Sequence, residues 1–138
     1  MKHNPKIIKY IKTIAKLHGC RLYLTKGCAK GGMFWGGMII IGLDCSTKEL
    51  ISIFCHELGH YKNWIEGVHK VYHTMDFNIA IKKMGLSKYV RLALEAEVYT
   101  EKMGKEICKI WFPGVKFMAM YQYNSYWLGY FAGKYGSR

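Results

Sequence analysis

The sequence predicts an α+β domain. Two short apolar runs, "CRLYLT" and "MIIIGL", have the composition of strands. Three longer stretches carry the 3.6-residue period of amphipathic helices, at Pro5 to His18, Thr47 to Glu66 and Lys88 to Ile110. No internal repeat, low-complexity segment or domain boundary is visible. The 138 residues are therefore expected to form a single domain, 1–138, long enough to bury a core without disulfides.

In the first helix Ile7, Ile8, Ile11, Ile14, Ala15 and Leu17 share one face and Lys9, Lys12 and Lys16 the other. Asn4 before Pro5 is a good start and Gly19 a good stop. "CRLYLT" follows as a short strand, and "KGCAKGG" (26–32) is expected to be a turn or mobile loop. The run Met38 to Leu43 is a buried strand. "DCSTKEL" opens the second helix, with Ser46 as cap and Glu49 three residues on, the pattern of a capping box. The stretch 66–87 is expected to be partly helical. The long helix from Lys88 to Ile110 follows, and after Pro113 the chain turns aromatic, with no dominant period to mark strand or helix.

The composition is that of a globular chain: 51% hydrophobic and 15% aromatic. No apolar run reaches the 18 or so residues of a membrane span, and the lysine-rich start does not resemble a secretory signal, so a cytoplasmic location and no membrane span are expected. Five cysteines without a CxxC pair fit small buried hydrophobes in a reducing compartment. The net charge of +12 favours acidic partners, whether nucleic acid, an acidic protein or an anionic membrane face, or else describes a solvated lysine-rich surface.

Chemistry concentrates in "CHELGHYKNW". On a helix, residues four apart differ by about 40° in direction and about 6 Å in height. His56 and His60 can therefore reach one metal ion, and imidazole nitrogen suits zinc. Glu57 is rotated about 100° from His56, free of the metal and placed to take a proton from a metal-activated water and hand it to a leaving amine. That is the chemistry of metal-assisted peptide hydrolysis. The strand "MIIIGL" just upstream is expected to border the cleft and bind extended substrate, as well as to pack in the core.

A catalytic zinc needs a third protein ligand. The long-spaced motif H-E-x-x-H-x-x-G-x-x-H is excluded, because Asn63 and Glu66 stand where it requires glycine and histidine. The acids of "RLALEAEVYTEKMG" are better candidates than the downstream His69 and His73. A helical projection places Leu92, Ala96, Tyr99, Met103, Ile107 and Ile110 on the apolar face. Glu95 falls on the polar side with Arg91, Lys102 and Lys109. Glu97 falls at the apolar margin near Thr100 and Gly104, and so is the expected ligand, with Glu101 one turn later as a hydrogen-bond partner for a ligating histidine.

With these motifs the chain resembles the zincin metallopeptidases whose third ligand is a glutamate, the gluzincins. It is most similar to the small cytosolic ImmA/IrrE-type peptidases associated with phages and mobile elements. "ELISIFCHELGHYKNW" looks like their active-site helix. "EVYTEKMG" looks like their E-x-x-A-D, with Thr100 for the alanine and Glu101 for the aspartate, while Glu95 gives a rival alignment. The resemblance covers roughly residues 38 to 104. It implies a minimal zincin-like domain: a small sheet packed on a central H-E-x-x-H helix with a third-ligand helix beside it. It also implies a zinc-dependent peptidase acting on a protein or peptide, with metal ligands His56, His60 and Glu97 and general base Glu57. Candidates for stabilising an oxyanion are His69, Tyr72, His73, Tyr121, Tyr123 and Tyr126. Cys55 is expected to be a packed residue. Two other readings stand beside this one: a zincin-fold regulator that binds a partner without cutting it, and a basic nucleic-acid-associated module using the lysine face of the first helix.

Overall fold

The computed structural model describes residues 3–29 and 31–118. Its elements are α1 (Pro5–Leu17), β1 (Arg21–Ala29), β2 (Gly31–Trp35), β3 (Met38–Asp44), α2 (Thr47–Glu66), α3 (Lys70–Thr74), α4 (Phe77–Met84) and α5 (Leu86–Trp111). Among the described residues the fold is α+β, the class that the sequence predicts, with a small three-stranded sheet and five helices. The aromatic segment 119–138, with Tyr121, Tyr123 and Tyr126, lies outside the described residues.

Helix α1 starts as expected. Asn4 accepts from the Lys6 N–H at 2.9 Å, and Pro5 occupies the first turn, where no N–H is needed. Ile11, Ile14 and Ala15 enter the core, and Lys9, Lys12 and Lys16 stay exposed.

The strand order is β1-β3-β2, with β3 parallel to β1 and antiparallel to β2. Two expectations are corrected here. Residues 26–29 and 31–32, expected in a loop, form the end of β1 and the start of β2. Their glycines suggest a turn because glycine tolerates positive φ, but Gly27 (φ 73°) uses that freedom inside a register shift between Thr25 and Ala29. The run Met38 to Leu43 is the interior strand, hydrogen-bonded on both sides, so it has no free edge for a substrate. The edge belongs to β2. Gly36 and Gly37, both at positive φ, close the two-residue hairpin that joins β2 to β3.

Inward-facing Ile39, Ile41 and Leu43 of β3 pack on α2, where Leu50, Phe54 and Leu58 are fully buried. Each such side chain contributes about 1.5–3 kcal/mol by leaving water. The capping box forms as predicted: Glu49 N–H donates to Ser46 Oγ and Ser46 N–H to Glu49 Oε1, both at 3.1 Å. Gly67, left-handed at φ 71°, ends α2.

The buried face of α5 differs from the projected one. Tyr89, Ala93, Ala96, Glu97, Thr100, Gly104, Ile107 and Cys108 are buried, whereas Ile110 is 67% exposed and Leu92, Tyr99 and Met103 are only half-buried. Small and polar residues line the contact because α5 lies very close to α2, and the larger apolar residues sit at its margins. A second, smaller core of Ala80, Tyr89 and Ala93, with Tyr72, Met75 and Phe77 packed against it, ties α3 and α4 to α5. No helix among the described residues is long and apolar enough to cross a membrane.

Candidate metal centre

Helix α2 runs through the middle of the protein, and its His56, Glu57 and His60 are each under 5% exposed. Glu97, on the adjacent α5, is 1% exposed. One carboxylate oxygen, Glu97 Oε1, lies 3.2 Å from His56 Nε2 and 3.2 Å from His60 Nε2. The three ligand atoms fall within 4.8 Å of one another, so the group could hold a metal ion. The sequence-predicted trio is thus brought together. Glu95, two residues from Glu97, is exposed.

The chemistry of the donor set fits a cation. His56 Nδ1 lies 2.8 Å from Glu101 Oε1, a carboxylate that only accepts, so Nδ1 carries the hydrogen. In the neutral ring Nε2 then presents a lone pair to Glu97 Oε1, which is also an acceptor. Acceptors facing each other in a buried space need a positive charge between them, supplied by a proton or a metal. The same demand appears in the acid–base balance. Burial opposes a charge on His56, but hydrogen bonds to Glu101 and Glu97 overcome it and push the imidazole up to about 10. Burial would raise Glu97, yet the His60 charge and hydrogen bonds from both histidines hold its carboxyl well below the usual range.

Around the ligands lies a shell of partners. Glu101 takes the place expected of it beside His56. His73 Nε2 lies 2.9 Å from His60 Nδ1, and Thr100 Oγ1 3.3 Å from the same atom. The Tyr72 hydroxyl donates to Glu97 Oε2. Thr100, fully buried, thus puts a hydroxyl near His60. Burial, reinforced by the His60 charge, lowers His73 to about 4. His69 is turned to Asn63 instead: its backbone N–H donates to Asn63 Oδ1 at 3.3 Å, and its Nδ1 lies 3.0 Å from Asn63 Nδ2. Cys55 is packed in the core as expected, and burial together with Cys108 pushes its thiol above the usual range.

Glu57 stands apart from the trio and reaches the sheet. A Cβ at Gly32 of β2 would lie 2.6 Å from Glu57 Oε2, so only glycine leaves room for this carboxylate. Burial is the main cause that raises the Glu57 carboxyl. A cleft of about 350 Å³ opens here, lined by Gly32–Trp35 of β2, by Glu57, His60 and Glu97, by Tyr72 and His73, and by Phe77 and Tyr89. Phe34 lies against His60, with ring centroids 6.2 Å apart.

Sequence reasoning missed the roles of Gly32 and Phe34, because nothing local marks β2 as a strand facing α2. It left Tyr72 and His73 among several candidates, since only the fold shows which of them turns inward. Compared with known proteins, the chain matches no family model, no curated protein and no solved structure.

Proposed function

We propose that this chain is a zinc-dependent peptidase with Glu57 as general base. The observation that supports it best is one of placement. His60 and Glu97 of the buried trio, the Glu57 carboxylate and the edge strand β2 line the same cleft, with His56 held against Glu97.

Two imidazole nitrogens and one carboxylate oxygen are a ligand set that suits zinc with a position left open. When bound, zinc would supply a Lewis acid that lowers the pKa of water and polarises a carbonyl. The chain's own residues supply the rest. Burial raises the Glu57 carboxyl, so its carboxylate is a stronger base for taking a proton from water, and the acid so formed can pass that proton to the leaving amine. The edge of β2 can pair with the backbone of an extended peptide, and the cleft walls would then receive alternate side chains. Of the residues that the sequence offers for the oxyanion, Tyr72 and His73 line the cleft, but their donors are engaged by Glu97 and the His69 carbonyl.

The test is cleavage of a quenched fluorescent peptide library by the zinc-loaded protein and by Glu57→Gln. Zinc-dependent cleavage that disappears in the variant supports the reading. A protein that holds one zinc per chain and cuts nothing would favour the non-catalytic regulator.

A groove beside α1 supports a second reading, an acidic protein partner. This groove, of about 890 Å³ between α1 and the sheet, is lined by Lys9, Lys12 and Lys26 over Ile8, Leu24 and Leu43, with Asp44 as its acidic residue. Salt-sensitive capture of an acidic, partly apolar protein segment would fit it.

A further inference from the structure

We infer that the short helix α3 is a clamp on the metal ligands: His73 fixes the tautomer of His60, and Tyr72 restricts Glu97 to one ligating oxygen. The inference rests on the metal reading above and assigns the residues that hold the ligands in place.

The hydrogen-bond directions follow from what each atom can do. His73 Nδ1 is 3.1 Å from the His69 carbonyl oxygen, which only accepts, so Nδ1 carries the hydrogen. Nε2 of the neutral His73 ring is then an acceptor, 2.9 Å from His60 Nδ1. His60 must donate from Nδ1, and this leaves the lone pair of Nε2 aimed at the centre, 3.2 Å from Glu97 Oε1. The chain of bonds ends on backbone, and Asn63 holds His69 from below. Phe34 meets the His73 ring at an interplanar angle of 86°. Thr100 Oγ1, at 3.3 Å, is a second neighbour of His60 Nδ1 and a longer one.

Tyr72, one residue earlier, acts on the other side of the centre. Oε1 is the Glu97 oxygen shared by both histidines, whereas Oε2 receives the Tyr72 hydroxyl. A carboxylate oxygen engaged by a phenol is a poorer second ligand. Glu97 then gives one donor atom, and coordination space remains for water and substrate. Adjacent residues on a helix point about 100° apart, which lets α3 reach α2 with one side chain and α5 with the other. Helix α3 itself buries no residue fully. Its place over the cleft is set by Tyr72 and Val71, which pack against the Ala80–Tyr89–Ala93 core.

The test uses zinc competition titrations and cobalt(II) spectra on the full chain, comparing wild type with His73→Ala, His73→Gln and Tyr72→Phe. His73→Ala should weaken zinc binding about 10–100-fold, the usual effect of losing an outer partner. His73→Gln should recover most of that loss, because its amide oxygen can accept the same N–H. Tyr72→Phe should lower the cobalt d–d absorption, since a second Glu97 oxygen would expand the coordination beyond tetrahedral. Unchanged zinc affinity in His73→Ala, or a His73→Gln as weak as the alanine variant, overturns the role of His73. An unchanged cobalt spectrum in Tyr72→Phe overturns that of Tyr72. A wild-type protein that binds neither metal would instead overturn the peptidase reading itself.

Discussion

Gly59 of α2 lies against the backbone of Thr100 on α5, so closely that a Cβ added to it would stand 2.8 Å from the Thr100 carbonyl oxygen and 3.3 Å from the Gly104 nitrogen. The contact falls between His56 and His60 on one helix and between Glu97 and Gly104 on the other. It sets the separation of the two helices and hence the reach from the histidines to Glu97.

Gly59→Ala should therefore force α2 and α5 apart. The expected loss is about 1–3 kcal/mol, typical of overpacking, and zinc binding should weaken with it because Glu97 moves with α5. Gly104→Ala should be milder, since its Cβ would meet Cys55 O and His56 Cα at 3.2 Å. Urea unfolding with chelator present, followed by zinc titration, measures both effects. A Gly59→Ala protein with wild-type stability and affinity would show that the helix spacing does not control the site.

Glu97→Ala should remove the shared ligand and lower zinc affinity strongly, and with it the stabilisation that zinc gives the native state by mass action. Glu95→Ala changes an exposed carboxylate and should stay within about 0.5 kcal/mol. Parallel zinc titrations decide between them. Tight binding retained by Glu97→Ala would remove Glu97 from the ligand set, and loss of binding in His60→Ala is the companion expectation.

Much of this site could be read before the fold was known, because its information is local. The i, i+4 spacing of His56 and His60, the Ser46–Glu49 cap and the phase separating Glu97 from Glu95 all lie within single helices. What escaped was non-local. The α5 contact face is small and polar, so Leu92, Tyr99, Met103 and Ile110 drew the projected apolar stripe to the margin of the true one. Segment 26–32 looked like a turn because what marks Gly32 as part of a packed strand, its approach to Ile53 and Glu57, depends on residues more than twenty positions away. The roles of Tyr72 and His73 depend on the way α4 folds back onto α5, which no local pattern records.

Glu57→Gln should keep zinc and lose turnover, by about 10²–10⁴-fold, because the amide cannot accept a proton. It also makes a stability prediction. The folded-state carboxyl is raised above its unfolded value, mainly by burial. Its contribution is therefore fully present below the ordinary carboxylate range and is lost as pH rises through the raised folded value. The glutamine variant has no such slope, so in chelator at pH 8 it should be at least as stable as wild type by thermal melting. A clearly less stable variant would mean that the ionised carboxylate is itself a structural partner.

His56 gives the opposite behaviours of the metal-free and metal-loaded protein. Its folded-state value is raised from 6.5 to about 10: burial opposes the charge, but the hydrogen bonds to Glu101 and Glu97 and the charge of Glu57 outweigh it. Without metal, the stability this provides is complete below 6.5 and is lost as pH rises towards about 10. Zinc must displace that proton to reach Nε2, so zinc affinity should rise with pH over the same window, about tenfold per unit for one proton released. Thermal melts in chelator at pH 6 and pH 9, set against His56→Gln, isolate the first effect, because the variant lacks the titrating ring. Zinc competition at pH 6.5 and 7.5 measures the second. A zinc affinity that does not change between those two values would mean that no proton leaves on binding, and that His56 is not the ligand its geometry suggests.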